Sequence, residues 1–230
     1  MKKKSAFTMI ELVFVIVVLG ILASISMSRM DRDLRQEAAE TILSHIRLAQ
    51  QLALNDNKHR IDNNARWQRA YWRFEYRACG GTNNTEWTYR VGSDTNLGGV
   101  LNRRESAVNP IDGKYLYTNG SCQNLDATES ETVLLSKKFG IRNIEIDGCT
   151  IPAGTTTTAQ HIAFDYLGRP HRGVNAYNGE GLYFSKIVTS DCNLTFTLST
   201  DQDNDGIDDQ FIITVESETG HAFIVGQEDS

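Results

Sequence analysis

The 230-residue chain shows no catalytic constellation in its sequence. It has no HExxH helix, no GxSxG elbow and no glycine loop of the phosphate-cradling type. Its five histidines, His45, His59, His161, His171 and His221, are scattered along the chain. His161 sits in an alternating stretch and reads as a structural residue rather than a base. An acid/base pair would have to be assembled wholly in three dimensions, so the chain is expected to be no enzyme and to need no organic cofactor. A basic stripe is missing too. The formal charge is −6, and loss of Lys2, Lys3 and Lys4 would take it to −9; such an acidic product argues against nucleic acid as a partner. None of the four cysteines, Cys79, Cys122, Cys149 and Cys192, lies in a CxxC pair. Zinc is therefore not indicated, and two disulfides made in an oxidising compartment are. Three connectivities are open. The simplest, Cys79–Cys122 with Cys149–Cys192, closes two loops of about 44 residues, worth roughly 3–4 kcal/mol each in the chain-entropy model.

What the chain does have is concentrated at its amino end. After Lys2, Lys3 and Lys4, residues 7–27 are apolar or small except for Glu11. About twenty such residues cross a bilayer core as a helix, and the basic flank keeps the amino end cytoplasmic while the rest is exported. An unpartnered carboxylate in hydrocarbon costs several kcal/mol, so Glu11 is read as functional and in need of a partner.

The run Lys4-Ser5-Ala6-Phe7-Thr8-Met9-Ile10-Glu11-Leu12, followed by the apolar residues 13–23, resembles the amino-terminal signature of type IV pilins and type II secretion pseudopilins. The resemblance implies cleavage by a prepilin peptidase between Ala6 and Phe7, N-methylation of Phe7, and a role for Glu11 in filament assembly. The family usually has glycine before the cut, where this chain has Ala6. Physically, Glu11 suits a pairing with the free amine of Phe7 in a neighbouring subunit, which would set register inside an apolar bundle. The implied partners are the prepilin peptidase, other pilin or pseudopilin subunits through the amino-terminal helix, and the inner membrane, with the head in the periplasm before it joins a pilus or pseudopilus.

Along the chain, residues 1–6 form the leader, 7–28 a transmembrane or filament-core helix, 29–58 its amphipathic half, and 59–230 a β-rich head. In the first half, Gly20, Ala23, Ser24, Ser26 and Ser28 are small enough to let a neighbouring helix come close. In the second, Leu34, Ala38, Ile42, Ile46, Ala49 and Ala53 recur at helical spacing. A continuous helix from 7 to about 57 would be ~75 Å long, ending at Asn55-Asp56-Asn57. From Arg69 the period becomes two: Trp72, Phe74 and Tyr76 alternate with charged neighbours, and Trp87, Tyr89 and Val91 repeat the pattern across a turn at 79–84. Residues 92–131 are irregular and need a pin, for which Cys122 is placed. Further strands are expected at 132–135, 141–146, 160–166, 181–188, 193–199, 210–216 and 221–225. One helix followed by antiparallel strands is an α+β fold, a long helix packed on an antiparallel sheet. Three stretches, 42–55, 162–170 and 212–220, resemble the helix, mid-sheet turn and terminal hairpin of GspH/FimT-like minor pseudopilins.

One further pattern concerns a metal. Asp201, Asp203 and Asp205, then Gly206, the backbone carbonyl of Ile207 and Asp209, follow the first half of an EF-hand-like calcium loop. The twelfth position is Ile212 rather than a bidentate Glu, so the loop is no EF-hand and is closer to the calcium loops of extracellular repeat modules. The reading is thus a minor pilin or pseudopilin with Ca2+ as a candidate ligand. The alternatives are a DNA-uptake (competence) minor pilin and a membrane-tethered calcium-dependent adhesin.

Overall fold

The computed structural model describes residues 9–60, 65–79, 86–120, 122, 124–152, 159–176, 186–201 and 208–227, without the side chains of 23–33 and 65. The first element, α1 (Met9–Asn55), is one helix of 47 residues. Its second half is rich in Ala, Leu, Gln and Glu, which lose little side-chain freedom in a helix. Ala38, Ile42, Ile46 and Ala49 recur at spacings of four, four and three and are each 0% exposed. The expected stripe is therefore buried, apart from Leu34, which is exposed at its start. The helix stops where the Asn-Asp-Asn run begins. Asn55 Nδ2 turns back to the Gln51 carbonyl at 2.8 Å, and Asp56 accepts the Trp72 indole N–H at 2.9 Å.

After a 3-10 helix, Ala65–Ala70, come β1 (Trp72–Ala78) and β2 (Trp87–Ser93), paired antiparallel from Trp72 with Ser93 to Ala78 with Trp87. This is the expected aromatic hairpin. With β4 (His161–Phe164) and the two-residue β5 (Pro170–His171) it makes a four-stranded sheet in the order β2-β1-β4-β5. A second antiparallel sheet runs β3 (Ile141–Gly148), β6 (Cys192–Leu198), β7 (Gln210–Val215) and β8 (Ala222–Ile224). The expectation was one sheet; the strands divide into two because β3 pairs with β6 instead of β2 or β4. Both sheets and the α1 stripe share one core, which includes Phe74, Tyr89, Ile162, Phe164, Leu194, Phe196 and Ile213.

Two local expectations change. Residues 132–135 are not a strand: a 3-10 helix (Glu131–Val133) leads into α2 (Leu135–Phe139). The apolar run there is too short for its period to be read. Its helical form is fixed by tertiary bonds, with the Ser136 hydroxyl accepting Trp87 N–H at 2.7 Å and Thr88 donating to the Val133 carbonyl at 2.7 Å. In the stretch 181–188, residues 181–185 lie outside the described ones, and Ile187 forms only an isolated bridge to His171.

The irregular insertion after β2 folds back on that strand. Leu116 and Ala107 exchange backbone bonds with Val91 and with each other, at 2.8–3.0 Å. This layer also covers the outer face of the first sheet, where Arg73 and Arg90 are 0% and 1% exposed. Buried guanidinium groups need partners. Arg73 donates to Glu75 at 3.0 Å and to the Arg69 and Gly99 carbonyls, and Arg90 donates to the Leu101 carbonyl at 3.2 Å.

Candidate functional site

Of the expected processing residues, Ala6 and Phe7 lie outside the described ones. Glu11 stands in the first turn of α1, as a carboxylate near a helix amino terminus is electrostatically favoured to do. Around it the helix is apolar and uncovered: Met9 is 86% exposed, and even the best covered large residue of this stretch, Val18, is 36% exposed. Among the described residues no helix is long and apolar enough to cross a membrane. The side chains described there span residues 9–22, short of the ~20 residues a bilayer core requires.

The acidic loop is described only at its ends; Asp203, Asp205 and Ile207 lie outside. Asp209, the last expected ligand, accepts the Thr200 hydroxyl at 3.1 Å and lies 3.8 Å from Arg35 of α1. Asp208 pairs with Arg142. The Asp209 N–H donates to the Thr200 carbonyl and the Leu198 N–H to the Asp209 carbonyl, each at 2.8 Å, which closes the connection between β6 and β7 at its base. Among the described residues no group of three or more His, Cys, Asp or Glu is placed to hold a metal ion.

The cysteines pair sequentially. Cys79–Cys122 has its Cα atoms 5.9 Å apart, and Cys149–Cys192 4.5 Å. The first ties the end of β1 to the irregular insertion. The second joins the residue after β3 to the first residue of β6, directly beside the Gly148–Cys192 pair of that ladder.

Three features went unseen in the sequence. The first is a junction at Gln50, whose side-chain amide donates to the carbonyls of Gly168 at 3.1 Å and Thr219 at 2.8 Å. It joins α1, the turn after β4 and the β7–β8 turn, which are the three stretches singled out above. Gly220 is required there: its φ is +69°, and a Cβ would collide with the Gly168 carbonyl. Beside it Asp165 is buried and accepts from Arg169 and His171.

The second is a buried polar chain under α1. His45 Nδ1 lies 2.6 Å from the Tyr89 hydroxyl, and Tyr89 also hydrogen-bonds to Thr132. Thr132 lies 2.8 Å from Ser130, which donates to Asp112 at 2.6 Å. Burial lowers the His45 pKa to about 4 and raises that of Tyr89, so both are neutral at pH 7. An apparently helical-face histidine gave no sequence signal because its partners come from three distant segments. The third is a basic pole beyond the end of α1. Lys58, His59 and Arg60 line a cavity of about 260 Å³ with Trp67, and Arg66 and Arg69 converge on the Leu97 carbonyl beside it.

No curated protein and no solved structure matches the chain. Residues 1–27 match the prokaryotic N-terminal methylation motif. That motif is the mark of a prepilin-peptidase substrate, and it supports a type IV pilin-like protein that assembles with other pilins.

Proposed function

We propose that the chain is a minor pilin or pseudopilin of the GspH/FimT-like kind, a structural subunit and not an enzyme. It is anchored in the inner membrane by residues 7–28, cleaved before Phe7, methylated, and drawn into a periplasmic or surface filament by α1. The observation that carries this reading is the methylation motif at 1–27 on a helix that continues unbroken to Asn55. The Gln50 junction supports the subtype, since it brings the three resembling stretches into one contact. Glu11 then acts after cleavage, pairing with the amine of a neighbour. Glu11→Ala is expected to leave leader removal nearly normal and to reduce recovery of the subunit in the filament fraction; undiminished recovery would contradict the pairing.

The acidic loop is proposed to take Ca2+ weakly, at the ~10⁻⁴–10⁻³ M affinity of extracellular modules. Supporting it, five aspartates in nine residues, from Asp201 to Asp209, repel one another in a connection closed at its base. A melting temperature of the head that is identical in chelator and in several millimolar calcium would remove this part of the reading.

The basic pole favours one second reading, DNA uptake, despite the acidic net charge. Binding of the head to duplex DNA that falls steeply with salt, and falls further in Arg60→Glu, would support it. Absence of binding at low salt would reject it.

A further inference from the structure

The cavity of about 260 Å³ beyond the end of α1 is lined by Asn57, Lys58, Arg60, Trp67, Thr95 and Leu97, among others. Sites for drug-sized ligands span ~300–1,000 Å³, so this one has room for a single ring-sized group. Its surroundings are positive. Residues 56–69 carry four cations, Lys58, Arg60, Arg66 and Arg69, and two acids, Asp56 and Asp62; counting Asp94, which interacts with Arg69, the balance is still positive by one (4 − 3) in a chain whose total is −6. Two of the acids are already occupied: Asp56 by Lys58 at 2.7 Å and the Trp72 indole N–H, and Asp94 by the Gly98 and Gly99 N–H groups. Arg60 is exposed, and among the described residues it has no ion-pair or hydrogen-bond partner.

One wall is fixed in advance of any ligand. Leu97 has φ +59°, the left-handed region that a non-glycine residue adopts only where its surroundings hold it. Its carbonyl is held by Arg66 Nη2 at 3.2 Å and Arg69 Nη1 at 2.8 Å. A carbonyl oxygen is neutral, so two guanidinium groups converge there without cancelling each other's charge. Burial and the nearby Arg66 both lower the Arg69 pKa, as expected of a cation that an anion close by would relieve.

The polar atoms of the lining choose between anions. Asn57 Oδ1 accepts the His59 N–H at 2.9 Å, which leaves the two N–H donors of the Asn57 amide. Thr95 donates its hydroxyl hydrogen to Glu105 at 3.2 Å, so toward the cavity it offers lone pairs and suits a ligand that donates. A phosphodiester has no hydrogen to give, whereas a sugar hydroxyl gives one and accepts another. A nucleic-acid base finds no platform either: Trp67 is 3% exposed and meets the His59 and Tyr71 rings at 74° and 85°. Ala70 and Leu97 add apolar surface for the C–H groups of a ring. We infer that the cavity binds a carboxylated sugar, with the carboxylate on Arg60 and Lys58 and ring hydroxyls on Asn57 and Thr95. α1 runs 27 residues (55 − 28) beyond residue 28, ~40 Å at 1.5 Å per residue, so a membrane holding residues 7–28 does not bring its lipid phosphates to this pole. The sugar is therefore one carried by an extracellular polysaccharide. That last step rests on the anchored-subunit reading; the chemistry of the cavity does not.

The test titrates the full-length chain in neutral detergent with galacturonate and with galactose, which differ in a carboxylate for a hydroxymethyl group, and follows binding by ligand-observed NMR. Galacturonate is expected to bind about tenfold more tightly than galactose or better. Arg60→Gln, which removes one charge-assisted contact, should weaken galacturonate about tenfold and leave galactose unchanged. Thr95→Trp, which fills the cavity from an exposed position, should abolish galacturonate binding. Both variants should unfold at the unsubstituted temperature, since both side chains are exposed. Equal affinity for the two sugars, or galacturonate binding that neither substitution weakens, would overturn the inference. Salt-dependent binding of duplex DNA with galacturonate left unbound would give the pole to nucleic acid and overturn it as well. An intact leader on filament protein would remove the assembly reading alone and leave a positive galacturonate result standing.

Discussion

Along α1, Met9 is 86% and Leu22 58% exposed, whereas Ala38, Ile42, Ile46 and Ala49 are at 0%. Both halves carry apolar side chains, yet among the described residues only the second has its cover within the chain. The second half alternates buried and charged positions at helical spacing, which is the pattern of a helix with water on one side. The first half is apolar all round, so no face is reserved for water. One continuous element therefore serves two surroundings. The head half fixes the fold, and the partner proposed for the amino half is lipid or a neighbouring subunit.

The sharpest way to break this comparison is to truncate the same residue type in each half. Ile46→Ala should cost about 2–5 kcal/mol in denaturant unfolding of the head, the usual range for emptying a filled core position. Ile16→Ala should leave that transition where it is, since Ile16 is 58% exposed and touches no part of the head core. Equal losses would mean that the amino half folds onto the head. The disulfides come next. Replacing Cys149 and Cys192 together by Ser should cost roughly 2–4 kcal/mol, because the bond limits the unfolded chain over a sequence separation of 43. Unfolding by denaturant with and without that pair would show it.

A smaller effect distinguishes the polar chain beneath the helix from ordinary core. His45 has its pKa lowered by burial to about 4 against a normal value of 6.5. The unfolded state therefore binds the proton first. The stability that neutral His45 represents is fully present above pH 6.5 and is lost as pH falls toward 4, by at most on the order of 3 kcal/mol. His161 and His171 are lowered by burial too and add to the same slope. His45→Gln should flatten the decline between pH 6.5 and 4 without abolishing it. An unchanged slope in the variant would show that His45 is open to water in the folded state.

The elements with a long, clean period were legible in the sequence. The α1 stripe, the β1–β2 hairpin, and the strands at Ile141, Cys192 and Gln210 each carry enough residues for the period to show. The helical segment at Glu131 to Phe139 was not legible, since its form is set by Trp87 and Thr88 forty or more residues away. The division into two sheets was likewise invisible, because no residue announces which strand it will pair with. For the candidate site the difference is similar. The methylation signature is a local string, and so it survives in the sequence alone. The Gln50 junction and the His45 polar chain are each built from segments far apart in the sequence, and nothing in any one of them marks the others.

The claim that the two halves of α1 serve different surroundings depends on the amino half being processed for assembly. Intact-mass measurement of the protein extracted from filament-producing cells tests this directly. The account predicts the mass of residues 7–230 with two disulfides and one added methyl group. The mass of the complete chain from Met1, in protein recovered from filaments, would contradict it.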